Sequence, residues 1–198
     1  MNYYISDTHF GHSNVIMFDN RPFRNREEME SVLIANWNRK VGKDDHVYIL
    51  GDFSYKSDKD PYEYIKQLNG HKHLIIGNHD KRCIMQDEKA LAELESADEM
   101  LIIKDRIYRL CLCHYPIAAW DGSTHGTVHL YGHIHGRTNA IYRFMRTRPN
   151  CYNAGCMINN YEPVTLTELV HNNRRFDAVA STKDLDDEKL SMVLDIKD

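Results

Sequence analysis

At 198 residues, with 42% apolar and 27% charged side chains, the chain has the size and composition of one soluble domain. A domain this long buries roughly 70% of its unfolded surface and needs no disulfide or metal staple to fold. A balance of 25 basic against 29 acidic side chains, net −4, excludes the basic stripe of a protein that grips extended nucleic acid, but leaves room for one small phosphorylated ligand such as a nucleotide.

A strand is expected over 2–6, running into Asp7-Thr8-His9. A helix is expected from Arg26 to Lys40, with Asn25 as cap, Glu28 three residues on, and Met29, Val32, Leu33 and Trp37 on one face. His46 to Leu50 has the pattern of a buried strand ending at Gly51-Asp52, and Asp60-Pro61 opens a helix that Gly70 stops. The strand from Lys72 to Ile76 ends at Gly77-Asn78-His79-Asp80. A charged helix is expected near 87–96, followed by a hairpin made from 99–104 and 107–113 and ending at His114. The strand over 127–131 leads into Gly132-His133-Ile134-His135. A loop passes through Asn153-Ala154-Gly155, and Thr165 with Glu168 caps a last short helix. These elements predict a layered α/β or α+β domain over residues 1–176, with 177–198 as a charged tail or peripheral helix. Apolar runs such as Val47 to Leu50 reach only four residues, against the ~18 of a membrane span, so no membrane association is expected. The segment Met1 to Asp7 lacks the basic-then-apolar pattern of a secretory signal, which makes the cytoplasm the expected compartment.

Polar clusters follow five of the expected strands: Asp7 with His9, Asp52, Asn78 with His79 and Asp80, His114, and His133 with His135. In open α/β sheets ligands bind beyond the carboxyl ends of the strands, so scattered clusters can converge there. The i, i+2 spacing of Asp7/His9 and His133/His135 would put each pair on one side of an extended chain. Asp7, His9, Asp52, Asn78, His114, His133 and His135 form a mixed nitrogen and oxygen set without thiolate, too large for one tetrahedral ion and suited to two ions sharing a carboxylate. Such donors suit Mn, Fe, Zn, Ni or Co. Each cluster alone is an ordinary turn or surface feature; the ordered set points to chemistry. Of the twelve histidines, His46, His71, His73, His125, His129 and His171 are expected to be surface or hydrogen-bonded residues. The five cysteines lack paired CxxC spacing and are expected to be buried thiols.

Asp7-x-His9, Gly51-Asp52, Gly77-Asn78-His79-Asp80, His114 and Gly132-His133-x-His135 together resemble the motif set of the calcineurin-like metallophosphoesterases. The surrounding Asp7-Thr8-His9-Phe10-Gly11-His12 and Arg21-Pro22-Phe23 are similar to small bacterial and phage members without a cap domain. The resemblance implies a four-layer αββα sandwich of two facing mixed sheets flanked by helices. It implies two divalent ions, with manganese favoured in vitro. Asp7, His9, Asp52 and His135 would hold one ion; Asp52, Asn78, His114 and His133 would hold the other, with Asp52 bridging. The implied reaction is phosphoester hydrolysis by a hydroxide between the ions, most readily of a phosphodiester; phosphatase, nuclease and non-catalytic interaction module are the alternatives. His79, oriented by Asp80, would stabilise developing charge or protonate the leaving oxygen. Where many relatives carry an acidic or His residue after Gly-Asp, this chain has Phe53-Ser54-Tyr55. Candidate substrate contacts are His12, Arg24, Tyr115 and Arg137, with Tyr55, Lys81 and Arg82 also next to site motifs.

Overall fold

Alternate side chains of a strand point to opposite faces, and in the first three strands both faces are buried. The structure, a computed structural model, describes residues 1–194, with side chains described through residue 180. Its first sheet is wholly parallel: β1 (Asn2–Ile5), β2 (His46–Ile49), β3 (His71–Ile75) and β4 (Leu94–Asp98), in that order. Tyr3, Ile5, Val47, Ile49 and Leu74 face a core shared with Met29, Leu33 and Trp37 of α2 (Arg26–Lys40) and with Tyr64 and Ile65 of α3 (Pro61–Ile65). Tyr4, Tyr48, Leu50 and Ile75 face the other way, into a core shared with Leu110, Leu112, Val128 and Leu130.

Those partners belong to the second sheet: β5 (Met100–Asp105), β6 (Tyr108–Cys113), β7 (Val128–Tyr131) and β8 (Cys151–Asn153). The β5–β6 pair is the expected antiparallel hairpin, and β6, β7 and β8 run parallel. A third cluster packs Tyr142 and Met145 of α5 (Ala140–Arg146) against Tyr131, Ile134 and Ala180. Helices thus flank two facing sheets. The edges adjoin at β1, where Tyr4 exchanges two backbone bonds with Val164 (2.8 and 3.0 Å) and Ser6 is bonded to Ala154 and Cys156 (both 2.9 Å). No helix among the described residues is long and apolar enough to cross a membrane.

Four expectations change. Only α4 (Glu88–Leu91) of the charged helix forms, and Leu94–Asp98 becomes β4, because an open edge of β3 offers backbone partners that outweigh its weak strand composition. Asn153, expected in a loop, ends β8 (Cys151–Asn153), which pairs with β7. The helix expected to reach Gly70 ends as α3 at Ile65, and a short α1 (Asn14–Phe18) precedes α2. The capping box forms, with the Glu168 carboxylate 2.8 Å from the Thr165 N–H, but the helix it opens, α6 (Leu166–Leu194), is long and runs through most of the segment expected as tail or peripheral helix. Residues 195–198 lie outside the described residues.

His129 is a hydrogen-bonded core residue. Its Nδ1–H donates to the Cys111 carbonyl (3.1 Å) and its Nε2 accepts from the Ile117 N–H (3.3 Å), so the fold requires the singly protonated ring. Burial pulls its pKa down from 6.5 to about 4. An unfolded chain therefore binds a proton that the folded one refuses between pH 6.5 and 4, and the contribution of His129 is complete above 6.5 and lost as pH falls. The loss approaches about 3 kcal/mol by pH 4. Thermal melts should show this acid sensitivity shrinking in His129→Gln, whose amide can keep one donor and one acceptor; an unchanged pH profile would refute the assignment.

Candidate metal centre

All five clusters stand at carboxyl ends of strands, Asp7 after β1, Asp52 after β2, Asn78 and His79 after β3, His114 after β6, and His133 and His135 after β7. They converge at one mouth. The i, i+2 pairs do so differently from the extended geometry expected. Asp7 (φ 56°), His9 (φ 53°), Asp52 (φ 54°), His133 (φ 69°) and His135 (φ 54°) are all left-handed, a conformation costing about 1–2 kcal/mol per L residue. Tight packing accompanies these turns. A Cβ on Gly132 would lie 1.9 Å from Ser6 Oγ, and one on Gly51, itself at φ 86°, would lie 2.3 Å from His114 Nδ1.

Two groupings result. In the first, His9 Nε2 lies 3.3 Å from His135 Nε2, which is 3.6 Å from Asp7 Oδ1. In the second, His114 Nε2 lies 3.2 Å from Asn78 Oδ1, which is also 2.9 Å from His133 Nδ1. Asp52 lies between them, its Oδ2 3.8 Å from His9 Nε2 and 3.6 Å from His114 Nε2. Asp7, His9 and His135 bring one donor atom each within 4.8 Å of one another, and so do Asp7, Asp52 and His114. Asp7 is therefore central as well as Asp52.

The ring tautomers show what these atoms can accept. His114 Nδ1 lies 2.8 Å from the Leu50 carbonyl and His135 Nδ1 lies 2.6 Å from the Asp19 carboxylate, both pure acceptors, so each proton sits on Nδ1. Each Nε2 then turns a lone pair toward carboxylate or amide oxygen. His9 Nδ1 is buried without a hydrogen-bond partner. Nitrogen lone pairs of His114 and His135 that converge with carboxylate and amide oxygens fit a divalent cation.

Burial pushes the Asp52 carboxyl above its ordinary value, with His114 opposing, and pulls the His9 imidazole well below its own, with His135 adding to the fall. Burial also lowers His135, but the bonded Asp19 carboxylate and Asp7 outweigh it and its pKa rises.

His79 and Asp80 separate. The Asp80 carboxylate, fully buried, turns away from the His79 ring and accepts from the backbone N–H groups of Gly77 (2.8 Å), Asp52 (2.8 Å) and Phe53 (3.0 Å). It ties the loop after β2 to the loop after β3, so the expected orientation of His79 by Asp80 is not what the geometry gives. The His79 ring packs on Tyr55, with centroids 3.7 Å apart, and its Nε2 lies 3.8 Å from Asp52 Oδ2. Burial lowers its pKa despite Asp52, which leaves a neutral imidazole near pH 7.

The expected substrate contacts divide. His12 is buried beside His9 (5.5 Å between rings) and Tyr55 (5.0 Å), and Tyr115 is exposed with its ring against His114 (5.0 Å) and His133 (4.8 Å). Arg24 is instead paired with Glu28 at 3.2 Å and Lys81 with Glu99 at 2.8 Å, while Arg137 is exposed just past His135. Cys111, Cys113 and Cys156 are buried free thiols, and Cys83 and Cys151 are half-buried ones.

Asp19 and Arg21 are the residues that sequence reasoning missed. Arg21 reaches Asp19 Oδ2 through Nη2 (3.0 Å) and Nε (3.2 Å), and donates to the carbonyls of Asp7 (2.8 Å) and Thr8 (2.9 Å). One buried guanidinium thus fixes both the turn that carries Asp7 and the carboxylate that orients His135. The only signal was the Arg21-Pro22-Phe23 wording. Removing such an outer partner typically weakens metal binding ~10–100-fold. Asp19→Asn should do so in a Mn²⁺ titration while the fold persists; wild-type affinity would remove Asp19 from the site.

A family model described as calcineurin-like phosphoesterase matches residues 3–180. An uncharacterized protein of Methanocaldococcus jannaschii is 34% identical over 185 residues, spanning 92% of this chain and 97% of its own length. The gene 66 protein of Mycobacterium phage D29 is 28% identical over 177 residues, covering 77% of this chain and 86% of its own. Among solved structures, a protein of unknown function from Aquifex aeolicus superposes with a TM-score of 0.66 at 27% identity, over 86% of this chain and 98% of its own.

Proposed function

The chain belongs to the calcineurin-like phosphoesterase family, and from that premise we propose that it is a phosphodiesterase that works through two divalent ions on a small phosphorylated substrate. The observation that carries the reading is Asp52 Oδ2, held within 3.8 Å of His9 Nε2 on one side and 3.6 Å of His114 Nε2 on the other. Asp7, His9 and His135 would hold one ion, Asn78, His114 and His133 the other, and Asp52 would serve both. When bound, such ions supply Lewis acidity toward a phosphoryl oxygen and lower the pKa of water for in-line attack.

The chain's own groups do the rest. Asp19 and the Leu50 carbonyl keep protons on the Nδ1 atoms of His135 and His114, which leaves both Nε2 atoms free to donate lone pairs. His79 is a hydrogen-bond donor to a phosphoryl or leaving oxygen rather than a standing imidazolium, because its pKa is lowered. Asp80 is a positioning residue: its carboxylate sets the loops bearing Asp52 and His79 relative to each other. Tyr115 and His12 border the mouth and are placed to touch substrate. The resemblance to small family members without a cap domain, whose open mouths suit a diester, favours a diesterase over a monoesterase.

Turnover of bis(p-nitrophenyl) phosphate should appear with Mn²⁺ and exceed that of p-nitrophenyl phosphate. The reverse preference would make the enzyme a monoesterase, and inactivity with Mn, Fe, Zn, Ni and Co would favour an interaction module. His79→Ala should keep its metal and lose about 100-fold or more in kcat. Asp52→Asn should lose both ions together; two metals per chain in that variant would end the shared-carboxylate assignment.

A further inference from the structure

The loop after β2 and the turn after β3 enclose a second space beside the proposed site. This cleft of about 440 Å³ is lined by Ser54, Tyr55, Lys56, Arg82 and Gln86 among others, a volume within the ~300–1,000 Å³ of small-ligand sites. Tyr55 belongs to both places, since its ring also packs on His79 at 3.7 Å.

The cleft carries unspent binding capacity. Lys56 stands in the left-handed region (φ 48°) with its ammonium 5.2 Å over the Tyr55 ring, and Arg82 is exposed; neither pairs with an acidic side chain among the described residues. The third cation there, Lys59, is bound to Glu30 at 3.1 Å. Of the two acids, Asp87 accepts from the N–H groups of Tyr62 (2.9 Å), Lys89 and Ala90 (both 3.1 Å), and Asp60 is exposed at the start of α3.

We propose that this cleft is a subsite for a second phosphate, carried by the substrate away from the scissile ester, with Lys56 and Arg82 as its cations. The inference rests on the phosphodiesterase reading and deepens it: the substrate class is a diester that bears a further phosphoryl group, as in a nucleoside bisphosphate ester. The scissile phosphoryl lies at the metal centre, and the remote one crosses the Tyr55 ring into the cleft.

Two probes that differ only in a remote phosphate test this. With Mn²⁺, kcat/KM for thymidine 3′-phosphate 5′-(p-nitrophenyl phosphate) should exceed that for thymidine 5′-(p-nitrophenyl phosphate) about tenfold or more, chiefly through KM. In the Lys56→Gln/Arg82→Gln double variant the ratio should fall toward one. Calorimetry on the full chain, with and without Mn²⁺, should show thymidine 3′,5′-bisphosphate binding about tenfold more tightly than thymidine 5′-phosphate. That binding measurement stands even if neither ester is turned over, an outcome that would count against the diesterase reading alone. Equal binding of the two nucleotides by the wild-type protein, or a folded double variant that keeps the preference, would overturn the subsite.

Discussion

Polar atoms gathered out of water cost free energy, and the mouth of this fold is organised around holding several of them together. His9 and His135 present ring nitrogens 3.3 Å apart, and His114 turns another toward the oxygens of Asn78 and Asp52. Left-handed backbone at five of these positions adds a further cost. What opposes both is an outer layer of donors. The Arg21 guanidinium holds Asp19 and the carbonyls of Asp7 and Thr8, three backbone N–H groups meet Asp80, and the His133 N–H lies 3.1 Å from Asp7 Oδ2. A cation bound among these donors would offset that cost, so metal binding and folding stability would be linked in this chain.

Neither sheet alone contains the centre. Asp7, His9, Asp52 and Asn78 follow strands of the first sheet, and His114, His133 and His135 follow strands of the second. Their spacing is therefore set by the apolar layer between the sheets, where Tyr4, Leu50 and Ile75 meet Leu110, Leu112 and Leu130. Hydrogen bonds cross that boundary at the site itself: His114, after β6 of the second sheet, donates to the carbonyl of Leu50, which follows β2 of the first, and the His133 N–H donates to Asp7. Interiors are packed too densely to absorb a lost methylene without movement, so a cavity at Leu50 would be felt in the His114 ring as well as in stability.

What was legible in the sequence was what local chemistry decides. The bounds of α2 follow from Asn25, Glu28 and an apolar stripe within its own residues, and each donor cluster was marked by the apolar strand before it. What was hidden depended on distant partners. Asp19 ends a five-residue helix with no periodic signal and acquires its role only from a ring 116 positions away. β4 and β8 are edge strands whose pairing comes from β3 and β7 rather than from their own composition. Asp80 misled by adjacency: the turn that begins there sends its carboxylate into the protein while His79 remains at the mouth. The i, i+2 spacing gave the right partners for the wrong reason, since turns rather than pleats bring them together.

Charge links the metal centre to the cleft beside it. Asp7, Asp19, Asp52 and Asp80 are clustered around one mouth of a chain whose net charge is −4, with Arg21 as the guanidinium among them. A phosphoryl group at that mouth feels these buried carboxylates, and in a partly desolvated setting their repulsion is screened far less than on an open surface. Divalent ions in the donor set would reverse the sign at the centre, while Lys56 and Arg82 act on a neighbouring space through charges that do not depend on any ion. Affinity for the reacting phosphate should thus rise and fall with metal loading, and affinity for a remote phosphate should be largely independent of it, because two different sets of positive charge would attract the two ends of one substrate.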